Sequence, residues 1–356
     1  METLGADERS SVTASVDRSA TDFVRARRHR VAVLLLGVLL LIGACALSLV
    51  VGSKEIPWRT VWEAVGGDAG SPDHLIVQDM RIPRTLLGVV VGVALGISGA
   101  LVQAMTRNPL ADTGVLGVNA GAAFFVAVAI GVLGLSGIST YVWAAFLGAL
   151  LITALVYALG SVGRGGGTPI RLTLAGVAVG AALSGLTSGL MLLDPEAFDA
   201  MRSWNAGSLV GRDLGVTASI VPFVLLGLVL AAAIAAPLNS MALGDDVARA
   251  QGVSIGLVRV IGIIAVTLLC GAATAAAGPI GFVGLMIPHV ARWIAGPDQR
   301  WIMVYTLVAS PLLVLLSDVL GRLVVRPGEM PVGIVTAFLG APVLIVMVRR
   351  RKASGL

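Results

Sequence analysis

The chain has 356 residues, 57% of them hydrophobic and only 13% charged, with 45 glycines and a mean hydropathy of +0.95. Soluble domains carry roughly 25% charged residues, so water cannot be the solvent for most of this surface, and the class is integral membrane protein. A net charge of +5 does not point to nucleic acid, because the basic residues are dispersed at the ends of apolar runs rather than gathered into one patch.

Residues 1–30, rich in Ser, Asp and Arg and ending "RARRHR", read as a disordered cytoplasmic tail with a basic stop against the membrane. Crossing about 30 Å of hydrocarbon takes about 20 apolar residues. Runs of that kind lie at 31–51, 85–105, 115–135, 141–160, 172–193, 216–236, 258–278, 301–321 and 332–348. The first contains "LIGAC" (41–45), a loose match to a lipoprotein cleavage box, but apolar sequence continues past it and an uncleaved helix is expected. Cys45 and Cys270, both inside apolar runs, read as small core residues. Between the seventh and eighth runs, "GPIGFVGLMIPHVARWIAG" (278–296) is interrupted by Pro279 and Pro288 and reads as a short or broken helix. Counting it gives ten crossings within a membrane domain spanning 31–350.

Ten crossings place both termini on one side. Six tail arginines, Arg107, Arg164, Arg171, Arg249, Arg259, Arg292, Arg300 and the terminal "RRRK" then share the cytoplasmic face. Outside remain Lys54, Arg59, Arg81, Arg84, Arg202, Arg212, Arg322 and Arg326. That asymmetry fits the positive-inside rule, which nine crossings would violate at the C-terminus.

Along the spans, "GVALG" (92–96), "GVNAG" (117–121) and "GLTSG" (185–189) have the small-xxx-small spacing that lets helices approach closely. Helix packing is the expected use; lining a pathway is the alternative. "TRNPLAD" (106–112) is a polar, helix-breaking turn. The longest inner loop, 237–257, holds "GDDVARAQG", a short helix with acid at its start and glycine at its end.

Three functional classes are open to such a chain. An ion-coupled carrier needs ionisable groups at mid-membrane, yet the only deep candidate is Asp318, near a helix end. An enzyme needs a catalytic constellation, and His29, His74 and His289 are scattered with no partner motif. The channel-forming half of an ATP-driven transporter needs a cytoplasmic docking helix and a partner ATPase. The two lysines, Lys54 and Lys352, sit in no phosphate-binding loop, so this chain is not its own ATPase.

Four blocks carry a resemblance: "RIPRTLLGVVVGVALGISGALVQAMTRNPLADTGVLGVNAG" (81–121), "LNSMALGDDVARAQGV" (238–253), "GPIGFVGLMIPHVARWIAGPDQRW" (278–301) and "MPVGIVTAFLGAP" (330–342). In this order they resemble the iron-siderophore, haem and cobalamin permeases of ABC importers, over about residues 31–350. Residues 172–209 are most similar to ferric-enterobactin permease subunits. The resemblance implies an all-α, ten-helix permease of the bacterial inner membrane. It implies no enzyme activity and no cofactor in this chain, ATP and Mg being bound by two partner ATPases. A second permease subunit, a heterodimer being favoured over a homodimer, and an extracytoplasmic siderophore-binding protein complete the expected assembly. Cargo is expected to be a ferric siderophore of the catecholate type, with haem and cobalamin as alternatives and an ion-coupled carrier as the remote one. Thr113 stands where the family usually has Pro, which predicts a slightly freer turn.

Roles carry over by position. The resemblance makes Arg81, Arg84 and Arg322 outward-facing contacts for glutamates of the binding protein. Gly244, Asp245, Ala248 and Gly252 belong to the helix that couples to the ATPase. Gly167 and Thr168 lie where relatives narrow the cytoplasmic exit. Asn119, Ser184, Thr187 and Ser188 are expected along a pathway of small, bland residues. His289 and Arg292 are expected to satisfy local backbone or meet the ATPase.

Overall fold

The computed structural model describes residues 28–67, 70–135, 137–161 and 169–353. Its elements are α1 (Arg28–Val50), α2 (Trp58–Val65), α3 (Pro72–Leu75), α4 (Ile82–Thr106), α5 (Val118–Gly131), α6 (Ile138–Ser161) and α7 (Pro169–Leu193). There follow α8 (Pro195–Asn205), α9 (Leu214–Ala242), α10 (Asp245–Ala250), α11 (Ile255–Ala277), α12 (Val283–Ala295), α13 (Gln299–Val324) and α14 (Val332–Ala353). Seven of these are long and apolar enough to cross a membrane, and α5, α12 and the apolar part of α14 are shorter. Together they make the ten expected crossings. Arg28 to Arg30, assigned to the tail from sequence, form the first turn of α1.

The lengths differ from expectation in one instructive place. The run 115–135 is apolar enough for a full span, yet α5 has only 14 residues, about 21 Å of helix. The preceding Thr113–Leu116 form a 3-10 turn, whose N-cap Asp112 accepts from the Gly114 N–H at 2.8 Å. Apolarity does not distinguish the two helix types; the cap does. The same turn buries Thr113 and is closed rather than free.

α4 and α11 form the axis of the bundle, with α9, α12 and α13 packed around them and α5, α6 and α7 on one flank. Glycine permits the closest approaches. A Cβ on Gly92 would meet Pro311 Cα at 2.5 Å, and one on Gly99 would meet the Gly284 carbonyl oxygen at 2.0 Å. On the flank, a Cβ on Gly121 would meet the Gly148 oxygen at 2.5 Å. "GVALG" and "GVNAG" are therefore packing motifs, since close backbone approach recovers dispersion that lipid does not supply. "GLTSG" is not: among the described residues nothing lies within 4 Å of a Cβ on Gly185 or Gly189. Ser184 and Ser188 are exposed beside them, and Thr187 is buried on the opposite side of α7.

α4 is 25 residues long, about 37 Å, so its two ends lie on opposite faces of any bilayer it crosses. Each end carries a charged cluster.

Candidate functional site

At the end assigned to the outside, Pro83 lacks the N–H that a regular turn would use. Residues Ile76–Arg81 take a π-helical turn just before it, which re-aims Arg81 relative to Arg84. Arg84 reaches Asp318 on α13, Nε to Oδ2 at 2.9 Å and Nη2 to Oδ1 at 2.7 Å, and reaches Glu329 through Nη1 at 2.5 Å. Arg322, one turn beyond Asp318, pairs with the same carboxylate. Asp318 is 1% exposed and Arg322 likewise. The one acid deep in the ninth crossing is thus neutralised by two arginines, which removes the feature an ion-coupled carrier would require.

The same arginines cap a helix. The last carbonyls of α1 have no partner within the helix. Arg322 donates from Nη1 to the carbonyls of Ser48 and Val51 at 2.8 and 2.9 Å. Arg81 donates from Nη1 to those of Leu49 and Val50 at 2.7 and 2.6 Å, and from Nη2 to Lys54 O at 2.5 Å. Sequence presented Arg81, Arg84 and Arg322 as outward-facing charges. In the structure all three are largely buried and bonded within the chain, because an unsatisfied carbonyl or carboxylate there is costly. Asp318 was the sequence signal for the arrangement, since an acid inside a span demands a cation.

The three arginines nonetheless line a common cavity of about 370 Å³, together with Lys54, Asp79, Arg212, Asp213 and Glu329. Its floor is closed, for α4 and α13 touch directly beneath it: a Cβ on Gly88 would meet Leu315 Cδ2 at 2.8 Å.

The other end of α4 builds a second cluster. The helix stops at Arg107, which takes the left-handed conformation (φ 50°), before Pro109. Arg107 pairs with Asp245, and Arg259 at the start of α11 donates to the second oxygen of Asp245 at 3.2 Å. Asp245 opens the six-residue α10, flanked by Gly244 (φ 123°) and Gly252 (φ 79°), conformations that side chains rarely adopt. Ala248 is fully buried under α10, while Leu243 and Val247 are exposed. The result is a small rigid helix pinned from beneath with an apolar edge turned out. Sequence reasoning found α10 but missed both arginines that hold it.

Of the remaining predicted residues, Asn119 accepts from Thr274 Oγ1 at 3.0 Å and so ties α5 to α11. Arg292 donates to Gln103 Oε1 at 3.4 Å, contacting α4, and His289 packs edge-on against Trp293. Gly167 and Thr168 lie outside the described residues.

The sequence model of the FecCD transport family matches residues 39–350. The chain belongs to the FecCD transport family. FecCD relatives include the ferric enterobactin transport system permease protein FepD of Escherichia coli (strain K12), 49% identical over 89% of this chain and 95% of that one. The iron(3+)-hydroxamate import system permease protein FhuB of Bacillus subtilis (strain 168) is 38% identical, covering 90% and 84%. The hemin transport system permease protein HmuU of Yersinia pestis is 35% identical, covering 90% and 94%. Among solved structures, a metal-chelate-type ABC transporter in an inward-facing conformation superposes with a TM-score of 0.78 at 28% identity, over 90% of this chain and 99% of that one. As a FecCD member with ten apolar helices, the chain is a multi-pass transport permease of the membrane, not an enzyme.

Proposed function

We propose that this chain is one permease subunit of a binding-protein-dependent ABC importer that brings a ferric siderophore of the catecholate class into the cytoplasm. The 49% identity to FepD over nearly its whole length carries the cargo assignment. Relatives named for hydroxamate and haemin systems make those cargoes the alternatives. Both termini lie in the cytoplasm, as the distribution of Lys and Arg favours.

ATP and Mg bind two partner ATPases, whose movement enters through α10. Exposed Leu243, just ahead of α10, and Val247 on it are the contact surface, and the two ion pairs of Asp245 make α10 move with α4 and α11 as a unit. A second permease subunit, of different sequence, covers the small, open face of α7. Ser184, Gly185, Ser188 and Gly189 lie on that face and border the pathway, since a smooth polar surface offers a bulky chelate no tight hold. The turn containing Gly167 and Thr168 is the cytoplasmic constriction, on resemblance alone. The binding protein docks over the arginine cavity, whose lining has more cations than acids.

Uptake of radiolabelled ferric enterobactin, a ferric hydroxamate, haemin and cobalamin by iron-starved cells, with and without the gene, tests the assignment. Loss and rescue of ferric enterobactin uptake alone is expected. Loss confined to another cargo moves the specificity but keeps the mechanism, and uptake independent of the gene for all four refutes the importer.

A further inference from the structure

Between α1 and α4 the chain makes a short helix whose aromatic side chains touch little of the protein. α2 has eight residues, WRTVWEAV. Val61 and Ala64 are buried, in a small cluster with Ile56 and Val77 that stands apart from the main core. Gln78 Nε2 donates to the Ala64 carbonyl at 2.8 Å and holds the end of the helix. Away from that cluster, Trp58 is 66% exposed, Trp62 72% and Val65 49%. A helix this short is marginal in water by itself, and its two buried side chains are small, so most of the apolar area of α2 is left uncovered.

The helix has three faces rather than two. At about 100° per residue, Val65, Trp58 and Trp62 fall within an arc of about 60°. Val61 and Ala64 lie about a quarter-turn to one side of that stripe, and Arg59 and Glu63 about a third of a turn to the other. Both charged residues are exposed. Glu63 stands 3.7 Å from His74 of α3, and the adjacent Asp73 pairs with Lys54. The polar face thus shares a side with charged neighbours, and the tryptophan stripe is turned away from it.

What lies beyond the stripe follows from the neighbouring span. Leu49, at the end of α1, packs against the α2 cluster. α1 itself is apolar and little buried, with Leu39, Ile42 and Leu47 exposed, and a span of that kind is bathed in lipid. α2 therefore continues a lipid-facing surface at the level where that surface meets water. Tryptophan is enriched at that level, because indole combines a large apolar body with one N–H donor. Among the described residues, none of α2 lines the arginine cavity, so the stripe is separate from the surface assigned to the binding protein.

We propose that α2 is an interfacial anchor whose partner is the lipid surface: Trp58, Trp62 and Val65 enter the outer leaflet at the boundary between headgroups and acyl chains. Arg59 and Glu63 stay among headgroups and water. The anchor fixes the depth of the outer end of α1, which Arg81 and Arg322 tie to the turn before α4 and to α13. The choice of leaflet rests on the orientation proposed above.

The test uses the full chain in its assembled transporter, in nanodiscs of phosphatidylethanolamine and phosphatidylglycerol. Nitroxide labels replace Trp58, Arg59, Trp62, Glu63 and Val65 one at a time, through Cys substitution in a Cys45→Ala, Cys270→Ala background. Their collisions with oxygen, which concentrates in lipid, are compared with collisions with a water-soluble nickel chelate. Oxygen is expected to be favoured severalfold in place of Trp58, Trp62 and Val65, and the chelate in place of Arg59 and Glu63. Preference for the chelate at all five overturns the proposal. So does a chelate-accessible stripe that closes only when the binding protein is added, for the partner is then a protein. Fluorescence covers labelled variants that fail to assemble: lipids brominated high in the acyl chain are expected to quench the wild-type emission. The double variant Trp58→Phe with Trp62→Phe should lose a large part of that quenching, and equal quenching in both overturns the proposal. In spheroplasts, Glu63→Cys is expected to react with a membrane-impermeant maleimide. Reaction only after permeabilisation overturns the outer-leaflet assignment together with the orientation, and leaves the cargo reading standing.

Discussion

Arg107 and Asp245 form an ion pair that joins the turn after α4 to the start of α10, 138 positions away. Arg259 holds the other carboxylate oxygen, so one acid fastens α10 to two spans. Both ends of the Arg107 pair are partly exposed, which limits its worth to about 1 kcal/mol. Its importance lies in geometry rather than stability.

Asp245→Asn is therefore expected to leave the protein assembled and to lower transport several-fold, with ATP hydrolysis continuing out of step with uptake. The charge exchange Arg107→Asp with Asp245→Arg recovers part of the loss. Parallel assays of ATPase turnover and cargo uptake in proteoliposomes check this. Unchanged coupling in Asp245→Asn would remove the fastening role.

Asp318→Ala strands two buried arginines. Removing one partner of a buried pair typically costs about 3–5 kcal/mol, so a large drop in thermal stability is expected. The double variant Asp318→Ala with Arg322→Ala should be less unstable than the two single losses added together, since the network is shared. Unfolding curves in detergent for both singles and the double measure the coupling. Simple additivity would mean that the charges do not depend on each other.

Gly99→Ala puts a methyl group 2.0 Å from a carbonyl oxygen of α12, and separation of α4 from α12 with loss of folded protein is expected. Gly185→Ala meets nothing among the described residues and should fold normally. Gly185→Leu should also fold, but impair assembly with the second permease or slow uptake. Expression and size-exclusion profiles separate folding from assembly; a Gly185→Leu variant that assembles and transports normally would place that face against lipid.

These contrasts show which features were legible in the residues. Ten crossings could be counted because each apolar run must satisfy its backbone alone, so its length is written locally. The break at Arg107–Pro109 and the helix 245–250 were legible for the same reason. "GVALG" and "GLTSG" share one spacing but opposite environments, because spacing states what a helix can approach and not what stands before it. Arg84 and Asp318 meet across 234 positions, and only the isolated acid hinted that a cation must come.

The pairing of Arg84 with Asp318 also sets an order of events during biogenesis. α4 leaves the ribosome long before α13, so its Arg84 must first rest at the membrane surface among lipid phosphates and water. Asp318 then enters the bilayer with Arg322 on its own helix and Arg84 within reach, and the late segment is drawn to its place by an early one. The last large span to be made is thus the one that locks the first two together, through α1's terminal carbonyls and the acid it brings. A chain truncated before α13 would hold all the apolar helices needed to stay in the membrane, yet lack the part that closes its outer end.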